Sequence, residues 1–299
     1  MNRSEKFGII GGTALAQNMR GFRIIEEGWF QTKHWGEVWL VKGEIAGHEV
    51  FFVPRHSKGH KNPPHQVNYV GNLVALKMNG VTTVLAASAM GALDERYTPG
   101  HLVFVNDVTD RTEGRQRTFF DKGIACHVAL SQAVCPYLHQ RLMLVTSDLE
   151  VPYQARGNLV VINGPHFSTV QESRIYRAEG HHVIGMTGSP EFKIARDLQM
   201  HYAIIGQVTD YDNPPPGLVV ESVDQKVVST RLAKVGGRAA RVIHQTIFSW
   251  PSDEPSCNCC HSLDGSILTT PEEVDPETRL QICDAFGVEE ISREWFAGS

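Results

Sequence analysis

Residues 161–193, VINGPHFSTVQESRIYRAEGHHVIGMTGSPEFK, decide the fold. They open on an apolar, strand-like run that turns at Asn163-Gly164-Pro165, and a second strand follows that ends at Gly185-Met186-Thr187-Gly188. Phe167, Glu172 and the Met186-Thr187 pair thereby come to strand ends, where open α/β sheets bind small ligands. Outward from this segment the same alternation continues. Residues 7–10, 37–41, 49–53, 81–87, 102–107, 159–162, 182–185 and 202–208 read as strands. Val67, Val70, Leu73 and Val74 recur at helical spacing over 67–78, and Asn79-Gly80 stops that helix. Further helices are expected over 170–179, 190–198 and 222–249. Strands alternating with helices over this length predict an α/β fold with a largely central sheet.

Composition narrows the function classes. A chain of 299 residues can bury a large core. A net charge of -5 gives no electrostatic footprint for nucleic acid or a membrane surface. No apolar run reaches the ~18 residues of a membrane span. The first six residues are polar, without the apolar core of a signal peptide, so the cytoplasm is the expected location.

Several short elements suit an anion. Gly8-x-x-Gly11-Gly12-Thr13 follows a strand, so backbone N–H groups can approach a phosphate while Thr13 adds a hydroxyl. It is neither a dinucleotide fingerprint nor a P-loop. Arg55-His56 follows the 49–53 strand and offers a planar fork and a further donor. Ser88-Ala89 ends the 81–87 strand, and Thr187 adds another hydroxyl. Each element alone also reads as a plain turn, an exposed basic loop or a structural hydroxyl. Asp210 and Asp212, two residues apart after the 202–208 strand, point to one side of an extended chain. By composition alone the favoured reading is a surface turn before 213–216.

Taken in order, Gly-Gly-Thr, Arg-His, Ser-Ala before a Gly, Gly-Pro-x-Phe-Ser, Glu-Ser and Met-Thr-x-x-Pro-Glu resemble the purine nucleoside phosphorylase family, in its branch acting on 5'-methylthio nucleosides. The resemblance covers roughly 7–250 and implies a single phosphorylase/hydrolase-like α/β domain with a central mixed sheet flanked by helices. It implies phosphorolysis of S-methyl-5'-thioadenosine to adenine and 5-methylthioribose 1-phosphate, with inorganic phosphate as co-substrate and no cofactor. Thr13, Arg55, His56, Ser88, Ala89 and Thr187 would surround the phosphate, Ser88 standing where Thr is usual. Asp210 and Asp212 would act on the base, where 6-oxopurine enzymes of the family place Asn first. Asp210, its pKa raised by burial, would protonate or hydrogen-bond N7. Phe167 would stack on the base, Met186 would face the ribose and Glu172 its hydroxyls. Val223, His60 and His127 would lie near the 5' substituent, His127 reaching it from a neighbouring subunit. The small-molecule partners are a nucleoside and phosphate, and the family implies a homotrimer, sometimes doubled to a hexamer. The run 63–69 resembles relatives that use 5'-methylthioinosine and pulls toward a 6-oxopurine, or toward a general purine nucleoside phosphorylase.

The expected boundary is a phosphorylase domain over 1–250 and a Cys-containing extension over 251–299, with an exposed linker at 251–255 and a helical stretch at 271–286. Cys257-x-Cys259-Cys260-His261 has poor spacing for one zinc ion, and no metal site is assigned. In some phosphorylases resembling this chain a Cys-x-Cys-Cys tail forms disulfides that fasten the C-terminus. Cys135 or Cys283 could be partners here, although His201 stands where some relatives place a cysteine. Free thiols, a disulfide clasp and a metal remain open from the residues alone.

Overall fold

The computed structural model describes residues 5–12, 15, 18–214, 225–253 and 255–289 (225–228 as backbone only). Nine strands form one mixed sheet: β1 (Phe7–Gly11), β2 (Arg23–Gln31), β3 (Glu37–Ile45), β4 (His48–Pro54), β5 (Thr83–Ala92), β6 (Leu102–Arg111), β7 (Tyr153–Ile162), β8 (Val183–Gly185) and β9 (His201–Tyr211). Their order is β2-β3-β4-β1-β5-β8-β7-β6-β9, and β9 also pairs with β5. That extra pairing closes β5, β8, β7, β6 and β9 into a ring, with β1 to β4 as a sheet running off one side.

Among the described residues, six α-helices flank the sheet: α1 (Tyr69–Met78), α2 (Pro136–Ser147), α3 (Val170–Ala178), α4 (Glu191–Asp197), α5 (Gln225–Phe248) and α6 (Pro276–Phe286). One apolar cluster joins Leu73 and Leu76 of α1, Ile194 of α4 and Ile282 of α6 to the inner strands. A second joins Leu138 and Leu142 of α2 and Val242 and Ile243 of α5 to strand residues such as Ile9 and Ile205. The sheet is therefore covered by two helical layers, the arrangement that buries both faces of parallel strands. Among the described residues, no helix is long and apolar enough to cross a membrane.

The expected strands are present, but several run further. β5 extends to Ala92, five residues beyond the predicted end, because β9 pairs with it as far as Tyr211 and β8 meets Gly91 and Ala92 from the other side. Two elements carry no expectation. β2 is exposed along nearly its whole length, so it lacks the half-buried alternation that marks a strand. α2 opens on Cys135, whose sulfur accepts the Leu138 N–H in place of the usual oxygen cap.

The 271–286 stretch is not one helix. A 3-10 turn at Pro271–Glu273 gives way to α6, which Asp275 caps by accepting the Thr278 N–H at 3.0 Å. Tail residues Leu263, Ile267, Val274 and Ile282 are buried in the first cluster. Cys126 and Ile267 form an isolated antiparallel bridge that holds the tail to the loop before α2. Because Leu263 is 1% exposed, Leu263→Ala is expected to lower the unfolding free energy by roughly 2–5 kcal/mol in denaturant titration. A loss below about 1 kcal/mol would mean that the tail does not share the core.

Candidate active site

A cavity of about 330 Å³ opens along β5, β8 and β9. β5 and β9 run parallel with Thr83 opposite His201 and Met90 opposite Val208, and a register shift then sets Gly91 opposite Asp210. Ser88 and Ala89 therefore sit inside a strand, not at its end as the sequence predicts. They line the cavity all the same, as do Phe167, Met186, Thr187, Asp210 and Asp212. A Cβ on Gly91 would come within 3.0 Å of Asp212 Cβ and 3.3 Å of Asp210 Oδ2, so the glycine makes room for both carboxylates. Gly164 has φ +66, and a Cβ there would meet Met186 Sδ at 2.7 Å. The turn of the 161–193 segment thus lies directly on the methionine.

Arg55 follows β4 and is 3% exposed, which removes the reading of an exposed basic loop. Its Nε donates to Glu191 Oε1 at 2.5 Å, its Nη2 to Glu191 Oε2 at 3.1 Å and its Nη1 to the Ala87 carbonyl at 2.7 Å. Tyr202 Oη donates to the same carboxylate at 2.8 Å. Burial works against the guanidinium charge, but Glu191 outweighs it and holds Arg55 more firmly protonated than a free arginine. Three named bonds leave two of the five guanidinium N–H donors. Beside this pair the Ser88 and Thr187 hydroxyls lie 2.5 Å apart.

His56 also lines the cavity, stacked on His60 with ring centroids 4.3 Å apart. Burial, and then the neighbouring Arg55, push its pKa down to about 4, so the ring is neutral at pH 7. Its Nδ1 donates to the Asn62 carbonyl at 2.8 Å. The neutral ring then presents Nε2 as an acceptor, which corrects the expectation that this imidazole donates to an anion.

The two aspartates are held differently. Thr209 Oγ1 donates to Asp210 Oδ1 at 2.6 Å, yet burial raises the Asp210 pKa above the ordinary carboxylate range. Asp212 Oδ2 accepts from both Ser168 and Ser173 hydroxyls at 2.6 Å. Both serines belong to the quoted motifs, but sequence reasoning gives them no role. In the Glu-Ser pair, the buried serine turns inward to Asp212 and the exposed glutamate does not, as expected for adjacent residues on a helix. Glu172 Oε2 accepts from the Thr169 backbone N–H at 2.7 Å and from its hydroxyl at 2.8 Å, completing a capping box at the start of α3. It is exposed and outside the cavity lining, which corrects its assignment to the sugar hydroxyls.

His127 lies in an exposed loop whose backbone N–H donates to the Ser266 carbonyl, away from this chain's cavity. Thr13 and Val223 lie outside the described residues. Phe167 lines the cavity while remaining 54% exposed, an aromatic face without full cover. Two further residues escape sequence reasoning. Glu191 is visible only as the last letter of Met-Thr-x-x-Pro-Glu. Arg115 is buried and donates to the Asn163, Met186 and Ser189 carbonyls, tying the 161–193 loops together. The spacing argument against a metal applies to the 257–261 run alone, since the fold brings Cys135 and His201 to Cys257 and Cys259. His261 is exposed and pairs with Asp264 at 3.2 Å instead. All six cysteines are free thiols.

A ring-closed mixed sheet thus carries a buried arginine, paired hydroxyls and two carboxylates on one cavity of an α/β protein. A family model described as the phosphorylase superfamily matches residues 6–247, and the chain belongs to that superfamily. An S-methyl-5'-thioadenosine phosphorylase of Hyperthermus butylicus is 36% identical over 270 residues, which cover 87% of this chain and 94% of the relative. One from Rhodospirillum rubrum is 36% identical over 92% of this chain and 93% of its own. Among solved structures, a methylthioadenosine phosphorylase from an antarctic soil metagenomic library superimposes with a TM-score of 0.86 at 32% identity, covering 95% of this chain and 99% of its own. The methylthioadenosine phosphorylase of Schistosoma mansoni in complex with adenine gives a TM-score of 0.75 at 30% identity, over 81% and 91% of the two chains.

Glu191→Ala leaves the Arg55 charge buried without its carboxylate and is expected to cost roughly 3–5 kcal/mol in equilibrium unfolding; an unchanged midpoint would show that the pair carries no stability. For His56, the unfolded ring near pKa 6.5 takes up a proton between pH 6.5 and about 4 that the folded ring refuses. This contribution is present above pH 6.5 and is lost as pH falls toward 4. Between pH 7 and pH 5 the wild type should lose roughly 1–2 kcal/mol more than His56→Asn. Identical pH slopes for the two would contradict the neutral, buried ring.

Proposed function

We propose that the protein catalyses phosphorolysis of S-methyl-5'-thioadenosine, yielding adenine and 5-methylthioribose 1-phosphate. One observation carries this reading: Ser88, beside Thr187 and Arg55, shares a cavity with Asp210 and Asp212. Ser88 and Gly91, the residue opposite Asp210, are three positions apart on β5, roughly 10 Å along a strand. That distance suits a phosphate at one end, a ribose between and a purine at the other. The names of the relatives, including one solved with adenine, support the same substrate class.

In this reading Arg55, Ser88, Thr187, Thr13 and the backbone around Ala89 hold the phosphate. His56, a neutral acceptor at Nε2, receives a hydrogen bond from a protonated phosphate oxygen. As the glycosidic bond lengthens, the ribose becomes oxocarbenium-like and the base gains negative charge. The phosphate stabilises that cation electrostatically and attacks C1'. Asp210 protonates or hydrogen-bonds the leaving base at N7, and burial moves its pKa upward, the direction that this role requires. Asp212, fixed by Ser168 and Ser173, accepts from the 6-amino group. Phe167 stacks on the base, Met186 packs on the ribose, and His60 and Val223 face the 5' substituent. The reading needs no cofactor. A phosphorylase unit over 1–250, a fastening extension over 251–299, a cytoplasmic location and a homotrimer to which His127 contributes across an interface complete the proposal on family resemblance.

The rival substrate is 5'-methylthioinosine, favoured by the run 63–69, of which Pro64 lines the cavity. Asp210→Asn separates the two. It should lower kcat/KM for the 6-amino nucleoside about 10²–10³-fold and lower it much less for the 6-oxo nucleoside, because an amide donates to O6 and N7 but holds no transferable proton. Equal losses on both substrates would contradict the role given to Asp210.

A further inference from the structure

At the far end of β9 from the cavity, four metal-ligating side chains converge from three parts of the chain. Cys135 caps α2, His201 opens β9, and Cys257 and Cys259 belong to the tail. Cys135 Sγ lies 3.5 Å from His201 Nδ1 and 3.5 Å from Cys257 Sγ, and Cys257 Sγ lies 3.2 Å from His201 Nδ1. With Cys259 Sγ included, all four ligand atoms fall within 4.8 Å of one another. A tetrahedral zinc with sulfur at ~2.3 Å and imidazole nitrogen at ~2.0 Å separates its ligand atoms by about 3.5–3.8 Å. We propose that Cys135, His201, Cys257 and Cys259 bind one structural zinc ion that fastens the tail to the end of the sheet.

The surroundings fit that ion. His201 Nε2 lies 3.2 Å from Cys260 Sγ, so an Nε2–H donated to that sulfur leaves the Nδ1 lone pair directed at the metal. Three thiolates and one zinc leave a charge of about -1. Arg196, 9% exposed, donates from Nη1 to Cys259 Sγ at 3.2 Å and answers that charge. Three sulfurs and a nitrogen make the ligand set typical of closed structural zinc, and soft thiolates disfavour magnesium and calcium. A disulfide between any two of the cysteines would leave the third thiol and the imidazole without a shared partner. Nine positions along β9 separate His201 from Asp210, roughly 30 Å of strand, so the zinc site stands or falls independently of the catalytic reading.

The test is metal analysis of the full-length chain purified under reducing conditions, together with cobalt substitution. The wild type should hold about one zinc per chain, and its cobalt form should show thiolate-to-cobalt charge-transfer bands with tetrahedral d–d absorption. Cys257→Ser and His201→Ala should each lose at least about 10-fold in zinc affinity, and Cys260→Ala, which removes the sulfur bonded to the imidazole, about 10-fold without loss of stoichiometry at saturating zinc. Removing zinc by chelation should lower the midpoint of thermal unfolding. Wild-type protein that takes up no zinc when reduced, an octahedral cobalt spectrum without thiolate bands, or a mass two hydrogens short from a Cys135–Cys257 disulfide would each overturn the proposal. The wild-type cobalt spectrum decides the matter even if a variant fails to fold.

Discussion

An arginine that is 3% exposed must have its charge answered inside the protein, and Glu191, fully buried, answers that of Arg55. An unpaired guanidinium in such a place would cost roughly 3–5 kcal/mol, a large share of a domain's net stability. The pair ties the end of β4 to the first residue of α4, the Ala87 carbonyl ties it to β5, and the Tyr202 hydroxyl ties it to β9. α4 has only seven residues and has little stability of its own. The same guanidinium keeps donors in reserve, so one side chain both organises the junction of four elements and serves the cavity.

The 161–193 segment was legible because its roles are local. A turn, a strand end and a helix cap lie within a few residues of one another, and the motif order carries the resemblance. What escaped depends on contacts far apart in sequence. Glu191 gains its meaning from Arg55, 136 positions away. Ser168 and Ser173 matter through Asp212, 44 and 39 positions on. β2 was invisible because an exposed edge strand has no buried face to impose a period of two. α2 does show Leu138, Leu142 and Val145 at helical spacing, but a cysteine cap is not a start signal that propensity rules look for. Glu172 failed for the opposite reason. Its motif was recognised, but a capping box satisfies the same letters without any ligand.

The cysteine-rich tail shows the same limit. Its local spacing suits no single ion, and only the fold brings Cys135 and His201 to it. β9 thus links two centres, with the tail fastened at His201 and the carboxylates carried at Asp210. Because β9 pairs with both β5 and β6, its position closes the ring and sets the width of the cavity.

The central claim is phosphate-dependent cleavage of a 6-aminopurine nucleoside. It is tested most directly by following base release from S-methyl-5'-thioadenosine with and without inorganic phosphate. The account predicts adenine and a sugar 1-phosphate only when phosphate is present. Adenine released at the same rate without phosphate would contradict it and make the protein a hydrolase.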